Sequence, residues 1–309
     1  MASSLAGKSL PTTGPLMGSS GYGLRMKREE IGPARWGHGT KVFVVPVVNV
    51  EVFTPGKGGP AIQPHLQSMP ELANTGWRDY GNRRGLQRLI RLLNALELPA
   101  TAVVNSDAAK IPEVADLLRA SGWELAAHGL NNSLGNAGMS PEEEAAVFEK
   151  CLADLELFLG VRPVTWLTPG FSVTERTPEI ALQSGLRCLL DFTDDDVPYD
   201  LVNEGSGQRL LALPYSMETN DFSLVLTKHF DGRQYAQALL DHVEQLSRED
   251  GETKVVCLGM HTFVAGAPAR ALALQDALGR MAALPGVRFA TAREIMDLID
   301  VVRPPKARL

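Results

Sequence analysis

Residues 41–53 read KVFVVPVVNVEVF. Valine dominates the run, and after Lys41 only Asn49 and Glu51 are polar. A stretch this apolar, with no alternation, is the pattern of a strand covered on both faces, as in parallel sheets flanked by helices. Pro46 interrupts it, because proline lacks the N–H that a ladder needs. The run ends on a carboxylate. Glu51 within an apolar strand is costly unless it is paired or functional, and function is the stronger reading.

Working outward, the chain alternates between strand-like and helix-like segments. Residues 56–76 read as loop. Residues 82–98 carry Leu86, Leu89, Ile90, Leu93 and Leu96 at helical spacing. Strands are predicted at 101–104, 123–127, 164–167, 187–190, 210–213, 254–260 and 287–290. Helices are predicted at 112–120, 235–248 and 268–283. Ser140-Pro141-Glu142-Glu143 is a capping box with proline in the first turn, and Gly160 ends the helix it opens. Thr177-Pro178 starts a helix that Gly185 stops, and Thr291-x-x-Glu294 opens a C-terminal one. About seven or eight strand–helix units in one chain indicate an α/β fold closed into a barrel. No Gly-rich turn follows the first strand and no GxxxxGK[ST] loop occurs, which argues against nucleotide-binding folds.

The composition is that of an ordinary globular protein, 44% hydrophobic and 21% charged. A net charge of -6 is not the basic footprint of a nucleic-acid binder. The three cysteines, Cys151, Cys188 and Cys257, are odd in number and form no CxxC pair, so a reducing cytoplasm is the expectation. Residues 1–40 hold no apolar stretch long enough for a signal sequence, and no window approaches a membrane span. Residues 1–35 read as a mobile N-terminal extension, and residues 36–309 as a single catalytic barrel domain.

In a parallel barrel the chemistry collects where strands end. Those ends deliver Asn49 and Glu51, then Asn105, then His128 with Asn131 and Asn132, then Thr168-Pro169-Gly170. Later ends deliver Asp191 with Asp194, Asp195 and Asp196, then Tyr215 with Glu218, Asn220 and Asp221, and finally His261. Either His128 or His261 alone could be a satisfied core histidine; two on one rim, beside a carboxylate, point to acid–base chemistry. The acidic run 194–196 reads as a solvated loop from which one residue could point inward. His38, His65, His229 and His242 read as non-catalytic.

These residues together resemble the polysaccharide deacetylase superfamily, and within it the metal-independent allantoinases and cyclic imide hydrolases. The resemblance spans about residues 36–299. It is carried by Val48-Asn49-Val50-Glu51, Arg78-Asp79-Tyr80-Gly81-Asn82-Arg83, Ala127-His128-Gly129, Asp194-Asp195-Asp196-Val197-Pro198-Tyr199, Pro214-Tyr215-Ser216-Met217-Glu218-Thr219-Asn220-Asp221, Gly259-Met260-His261 and Gly266-Ala267-Pro268-Ala269-Arg270. It implies a distorted (β/α)7–8 barrel of the polysaccharide deacetylase type and a homo-oligomer. Sugar deacetylases of the superfamily carry two adjacent aspartates after the first strand and a His-x-x-x-His pair. Here those positions hold Glu51 and Val52, and His128 and Asn132. Valine cannot coordinate zinc and an amide replaces imidazole poorly, so the resemblance favours the ring-opening branch.

The expected reaction is hydrolysis of the C–N bond of a cyclic amide, imide or ureide. Glu51 is the expected base, with its pKa raised towards neutrality. His261 is the expected acid, and His128, Asn132 or backbone N–H groups of residues 168–170 the oxyanion donors. Arg78, Tyr80, Arg83, Thr168, Asp196, Tyr215 and Asn220 complete the expected substrate site, although Arg83 and Arg84 read equally as a solvated helix start. The partner is a small molecule, with neither nucleic acid nor membrane involved. No cofactor is called for, and a divalent metal such as zinc is the open alternative. The competing readings are a metal-dependent N-deacetylase of amino sugars or polysaccharide, and a non-catalytic ligand-binding barrel.

Overall fold

The computed structural model describes residues 26–32, 36–63, 65 and 72–303. Its centre is β2 (Val42–Val50), buried along its whole length. On one side β2 pairs in parallel with β9 (Lys254–His261), from Val42 opposite Lys254 to Asn49 opposite His261. On the other side β10 (Val287–Phe289) pairs with its first half and β3 (Thr101–Val104) with its second. Val44 O accepts from Ala290 and Val50 O from Asn105, so the even-numbered residues of β2 present their backbone groups to this side. Pro46 falls between Val44, the last β10 partner, and Val47, the first β3 partner. Its missing N–H therefore faces a gap in the ladder, and the strand runs through the proline instead of breaking there.

From β3 the parallel sheet continues through β4 (Glu124–Ala127), β5 (Thr165–Trp166), β6 (Cys188–Phe192) and β8 (Arg209–Pro214). Between β8 and β9 no ladder forms; a single bridge from Asn220 to Gly259 spans the seam. The α/β fold with a curved parallel sheet is therefore a barrel left open at one seam. Two strands extend β8 antiparallel on the outside: β7 (Tyr199–Asn203) and, beyond it, β1 (Met26–Glu30). Residues 26–30, read from sequence as part of a mobile extension, thus belong to the sheet. Residues 1–25 and 33–35 lie outside the described residues. Arg28 explains the docking of so charged a strand: it ion-pairs with Asp194 and Asp195 and stacks over the Tyr199 ring.

Helices cover the outer face. α1 (Leu72–Tyr80) runs through one π turn (Gly81–Gly85) into α2 (Leu86–Ala95), starting ten residues before the expected boundary at residue 82. The two glycines let this helix press against the segment after β9. A Cβ at Gly81 would lie 2.5 Å from Thr262 Oγ1, and one at Gly85 1.9 Å from Thr262 O. Such π turns often mark functional sites. The short α3 (Ser106–Ala109) and α4 (Pro112–Ser121) follow β3. Next come α5 (Pro141–Leu159), α6 (Thr177–Gln183), α7 (Gly232–Arg248), α8 (Pro268–Ala282) and α9 (Ala292–Val302). The boxes at Ser140 and Thr291 form as expected, and a third, Asp231 with Gln234, opens α7. No helix among the described residues is long and apolar enough to cross a membrane.

The core falls into two layers, and strand parity sorts them. Val42, Val44, Val48 and Val50 join the layer under the helices. Phe43, Val45 and Val47 join Val103, Ala126, Leu213, Val255 and Cys257 inside the barrel. The same alternation carries on past the strand ends, and it decides which polar side chains meet.

Candidate active site

Counting by twos from the inward residues gives Asn49 and Glu51 after Val47, Asn105 after Val103, and His128 after Ala126. It also gives Tyr215 after Leu213, and Gly259 and His261 after Cys257. These positions converge at the C-terminal mouth of the barrel, where a cavity of about 330 Å³ opens. Asp191 lies in a register shift of β6 between Leu189 and Phe192, where simple alternation does not hold, and it does not line the cavity.

Glu51 forms the floor and is buried. Three nitrogens converge on its Oε1: Asn132 Nδ2 at 2.6 Å, His128 Nε2 at 3.2 Å and His261 Nε2 at 3.4 Å. Asn82, carried by the π turn, donates to Glu51 O at 2.7 Å and fixes the backbone beneath it.

Asn105 sets the polarity of this cluster. Its Oδ1 accepts from Val52 N at 3.0 Å, so its Nδ2 must donate, to His128 O and to Asn132 Oδ1. With Oδ1 of Asn132 taken, its Nδ2 is turned onto the carboxylate. The amide that replaces the second histidine of His-x-x-x-His is thereby a donor to Glu51. His128 Nδ1 lies 2.7 Å from Leu167 O. A carbonyl only accepts, so Nδ1 carries hydrogen, and Nε2 is the nitrogen turned to Glu51.

His261 is held from behind by Asp221, whose side chain is fully buried. Asp221 Oδ1 lies 2.6 Å from His261 Nδ1, while its Oδ2 accepts from the backbone N–H of His261 and of Ala265. The imidazole thus bridges two carboxylates through its two nitrogens. Burial alone would depress His261, but the charges of Glu51 and Asp221 outweigh it and push the pKa up to about 10. Burial would likewise raise Glu51; the His261 charge, with hydrogen bonds from His128 and His261, holds it down at about 2. This corrects the expectation of a carboxyl raised towards neutrality. The desolvation is there, and the opposite charge beside it is stronger. At neutral pH the pair rests as carboxylate and imidazolium.

The other residues expected at the site divide. Thr168, Tyr215 and Asn220 line the cavity. Tyr215 Oη receives Nδ2 of Asn49 at 3.1 Å and of Asn220 at 3.5 Å. Gly259 makes room for this group, since a Cβ there would lie 2.5 Å from the hydroxyl. The arginines are not brought in. Arg78 donates to Gly58 O and lies over the Phe53 ring, shaping a wall from behind. Tyr80 accepts from Arg88 on the outer surface, and Arg83 lines a separate groove between the π turn and α4. Asp196 sits in the loop before β7, its carbonyl accepting from Val255 N. Their sequence neighbourhood suggested the site, but the helix carries Asn82 inward and turns Arg83 away. Of the backbone donors expected at 168–170, Thr168 N is already bonded to Asp191 Oδ1 at 2.7 Å, and Pro169 has none. Gly170, at positive φ on the cavity wall, is the remaining candidate.

Sequence reasoning placed Asp221, Asn105 and Asn49 at strand ends but gave none of them a role in the site. Asp221 stood within a polar run after β8, and its parity with the strand is lost in the turn Met217–Thr219. Asn105 and Asn49 carried a usable signal, since each lies two residues beyond an inward valine.

The zinc site of sugar deacetylases finds no fit here. Asn132 has its oxygen committed to Asn105 and its nitrogen to Glu51, and Val52 stands at the second aspartate position. No group of three His, Cys, Asp or Glu side chains suited to a metal occurs among the described residues.

The chain matches the polysaccharide deacetylase family model over residues 78–189. A Schizosaccharomyces pombe protein provisionally named a polysaccharide deacetylase is 26% identical over 247 residues, 74% of this chain and 77% of that protein. Among solved structures, PuuE allantoinase superposes with a TM-score of 0.78 at 22% identity, covering 91% of this chain and 99% of that one. A Pseudomonas aeruginosa protein, also provisionally named a polysaccharide deacetylase, superposes at 0.75 with 24% identity, covering 85% and 92%. At these identities the two structures establish the fold.

Proposed function

We propose that this chain, a relative of the polysaccharide deacetylases, hydrolyses a carbon–nitrogen bond, and that the bond belongs to the ring of a cyclic amide, imide or ureide. One observation carries the reading: Glu51 and His261 meet at the cavity floor with Asp221 in line behind the imidazole, an arrangement whose charges favour carboxylate and imidazolium. A base without its proton beside an acid that holds one is the resting arrangement that hydrolysis of an amide requires.

In the proposed step, a water between Glu51 and the substrate attacks the ring carbonyl and passes a proton to Glu51. The carbonyl becomes an oxyanion, for which Gly170 N–H and His128 Nε2 are the candidate donors. As the C–N bond breaks, His261 gives its Nε2 proton to the leaving nitrogen. The products are a carboxylic acid and an amine or amide on one opened chain, and the proton on Glu51 returns to His261. The two transfers assist each other. While His261 is charged it makes Glu51 a weak base, and as its proton leaves, the carboxylate gains basicity. Asp221 keeps the ring aligned throughout and stabilises its charged form.

The test is a screen of purified protein against hydantoin, allantoin, succinimide, phthalimide and dihydropyrimidines, with N-acetylated chitin oligomers alongside. The reading expects a new carboxyl group, detected by mass gain of one water, from at least one ring. Acetate release from the oligomers, with every ring untouched, would replace it by the deacetylase reading.

A further inference from the structure

We propose, resting on the ring-opening reading above, that the substrate is a neutral cyclic imide or amide with a flat hydrocarbon face, and that Phe171 is the side chain that selects it. Apolar side chains reach the cavity from several segments: Phe53 after β2, Pro60 in the loop beyond it, Leu167 and Phe171 after β5, Met217 after β8, and Phe222 from the π turn Phe222–Thr227. Among the described residues, no lysine or arginine lines it. Its floor holds one charged carboxylate, with a second directly behind His261. A substrate carboxylate would therefore meet the charge of Glu51, and the one cation facing it, His261, is already held between Glu51 and Asp221. A sugar would set its hydroxyls against these apolar side chains and against polar groups already bonded to one another, Asn49 and Asn220 to Tyr215 and Asn132 and His128 to Glu51, an environment that unpaired hydroxyls tolerate poorly. The volume, about 330 Å³, is near the small end for small-molecule sites, which suits a compact ring rather than a polymer segment.

Phe171 supplies the second observation. Its φ is 53°, directly after Gly170 at 60°. A bulky residue is strained in this left-handed region, and such strain gathers at ligand sites when the surroundings hold it. Here they do: Phe171 N donates to Thr168 O at 3.1 Å, and the ring rests 5.4 Å from that of Tyr215. The strained backbone commits an aromatic face to the cavity wall, where aromatic ligands gain from offset or edge contact.

The experiment compares kcat/KM for phthalimide, succinimide, hydantoin and allantoin. Phthalimide should exceed succinimide by about tenfold or more, the range of one added apolar contact. Phe171→Ala and Phe171→Leu should each cut the phthalimide-to-succinimide ratio about tenfold. If Phe171→Ala fails to fold, the leucine variant, which keeps the bulk and loses the flat face, decides. Preference for allantoin or hydantoin over phthalimide, or an unaltered ratio in the folded variants, overturns the proposal. Calorimetric binding to Glu51→Gln separates the two readings. If the wild type opens no ring yet this variant binds phthalimide more tightly than allantoin, ring opening fails and the selectivity stands. Absent or weaker phthalimide binding sinks the selectivity.

Discussion

Asn132 Nδ2 lies 2.6 Å from Glu51 Oε1, and its direction is dictated by Asn105 on the far side of the amide. Asn132→Asp tests this relay, because it keeps the shape and replaces the donor by a second carboxylate. Two carboxylates at that distance do not both ionise comfortably, so one takes up a proton well above the ordinary carboxylate range. Turnover should fall by about 10²-fold or more, with the acid side of the pH–rate profile moved upward. A profile of unaltered shape would remove Asn132 from the charge balance of the site.

Glu51→Gln removes the base while keeping an acceptor for Asn132. Loss of a general base costs about 10²–10⁴-fold, and kcat should carry the loss, because the transfer is needed only in the transition state. Circular dichroism should report an unchanged fold. Turnover within tenfold of wild type would exclude Glu51 as base.

Asp221→Asn probes a positioning residue. The neutral amide still meets the N–H groups of His261 and Ala265 but no longer supports the charge on the ring. The pKa of His261 should drop from its raised value, and the alkaline limb of kcat/KM should move to lower pH, with a loss of about 10²–10⁴-fold. A residue with only a structural role would lower Tm and leave that limb in place. ¹⁵N NMR titration of the imidazole reads the shift directly.

Much of this arrangement was legible before any coordinates. The valine-rich run at 41–53, with no polar alternation, announced a strand covered on both faces, and the capping boxes at Ser140 and Thr291 fixed two helix starts. Glu51, His128 and His261 stood out because each follows an apolar strand. Strand period could have carried the reading further. Where the ladder is regular, residues two beyond an inward valine or alanine face inward too, which selects Asn49, Asn105 and His128; Asp191 lies in a register shift of β6, where period gives no reading. Arg83 was misleading because a π turn shifts the angular register of a helix, and no spacing rule anticipates one. β1 was hidden for another reason: MKREE has no strand pattern, and its pairing rests on Arg28 meeting residues far along the chain.

The ion pair in the site also shapes stability against pH. Glu51 titrates lower in the folded chain than its ordinary 4.5, so its contribution is present above about pH 4.5 and is lost as pH falls towards 2. His261 titrates higher than its ordinary 6.5, so its contribution is present below about pH 6.5 and is lost as pH rises towards 10. Both act fully only between these limits. Urea denaturation from pH 4 to pH 10 should show the wild type losing stability above pH 6.5 relative to His261→Gln. Parallel curves for the two proteins would contradict the raised imidazole.

Asp191 behaves in the opposite sense. Burial raises its pKa from 3.8 to about 6, against the lowering effect of the Thr168 N–H, and its Oδ2 has no partner. A carboxyl whose folded pKa is raised stabilises the fold only below its unfolded pKa. The folded state thus loses stability as pH climbs from about 4 through 6, and the cost is constant beyond. A shift of this size corresponds to about 3 kcal/mol above pH 6. Asp191→Asn keeps the acceptor for Thr168 and abolishes the charge, at the expense of an amide N–H placed where Oδ2 is unpartnered. The net gain at pH 8 should be about 1–3 kcal/mol, shrinking as pH falls below 4. Denaturation at the two pH values checks it: a variant no more stable than wild type at pH 8, or equally favoured at both, would mean that Asp191 is not held as a costly buried charge.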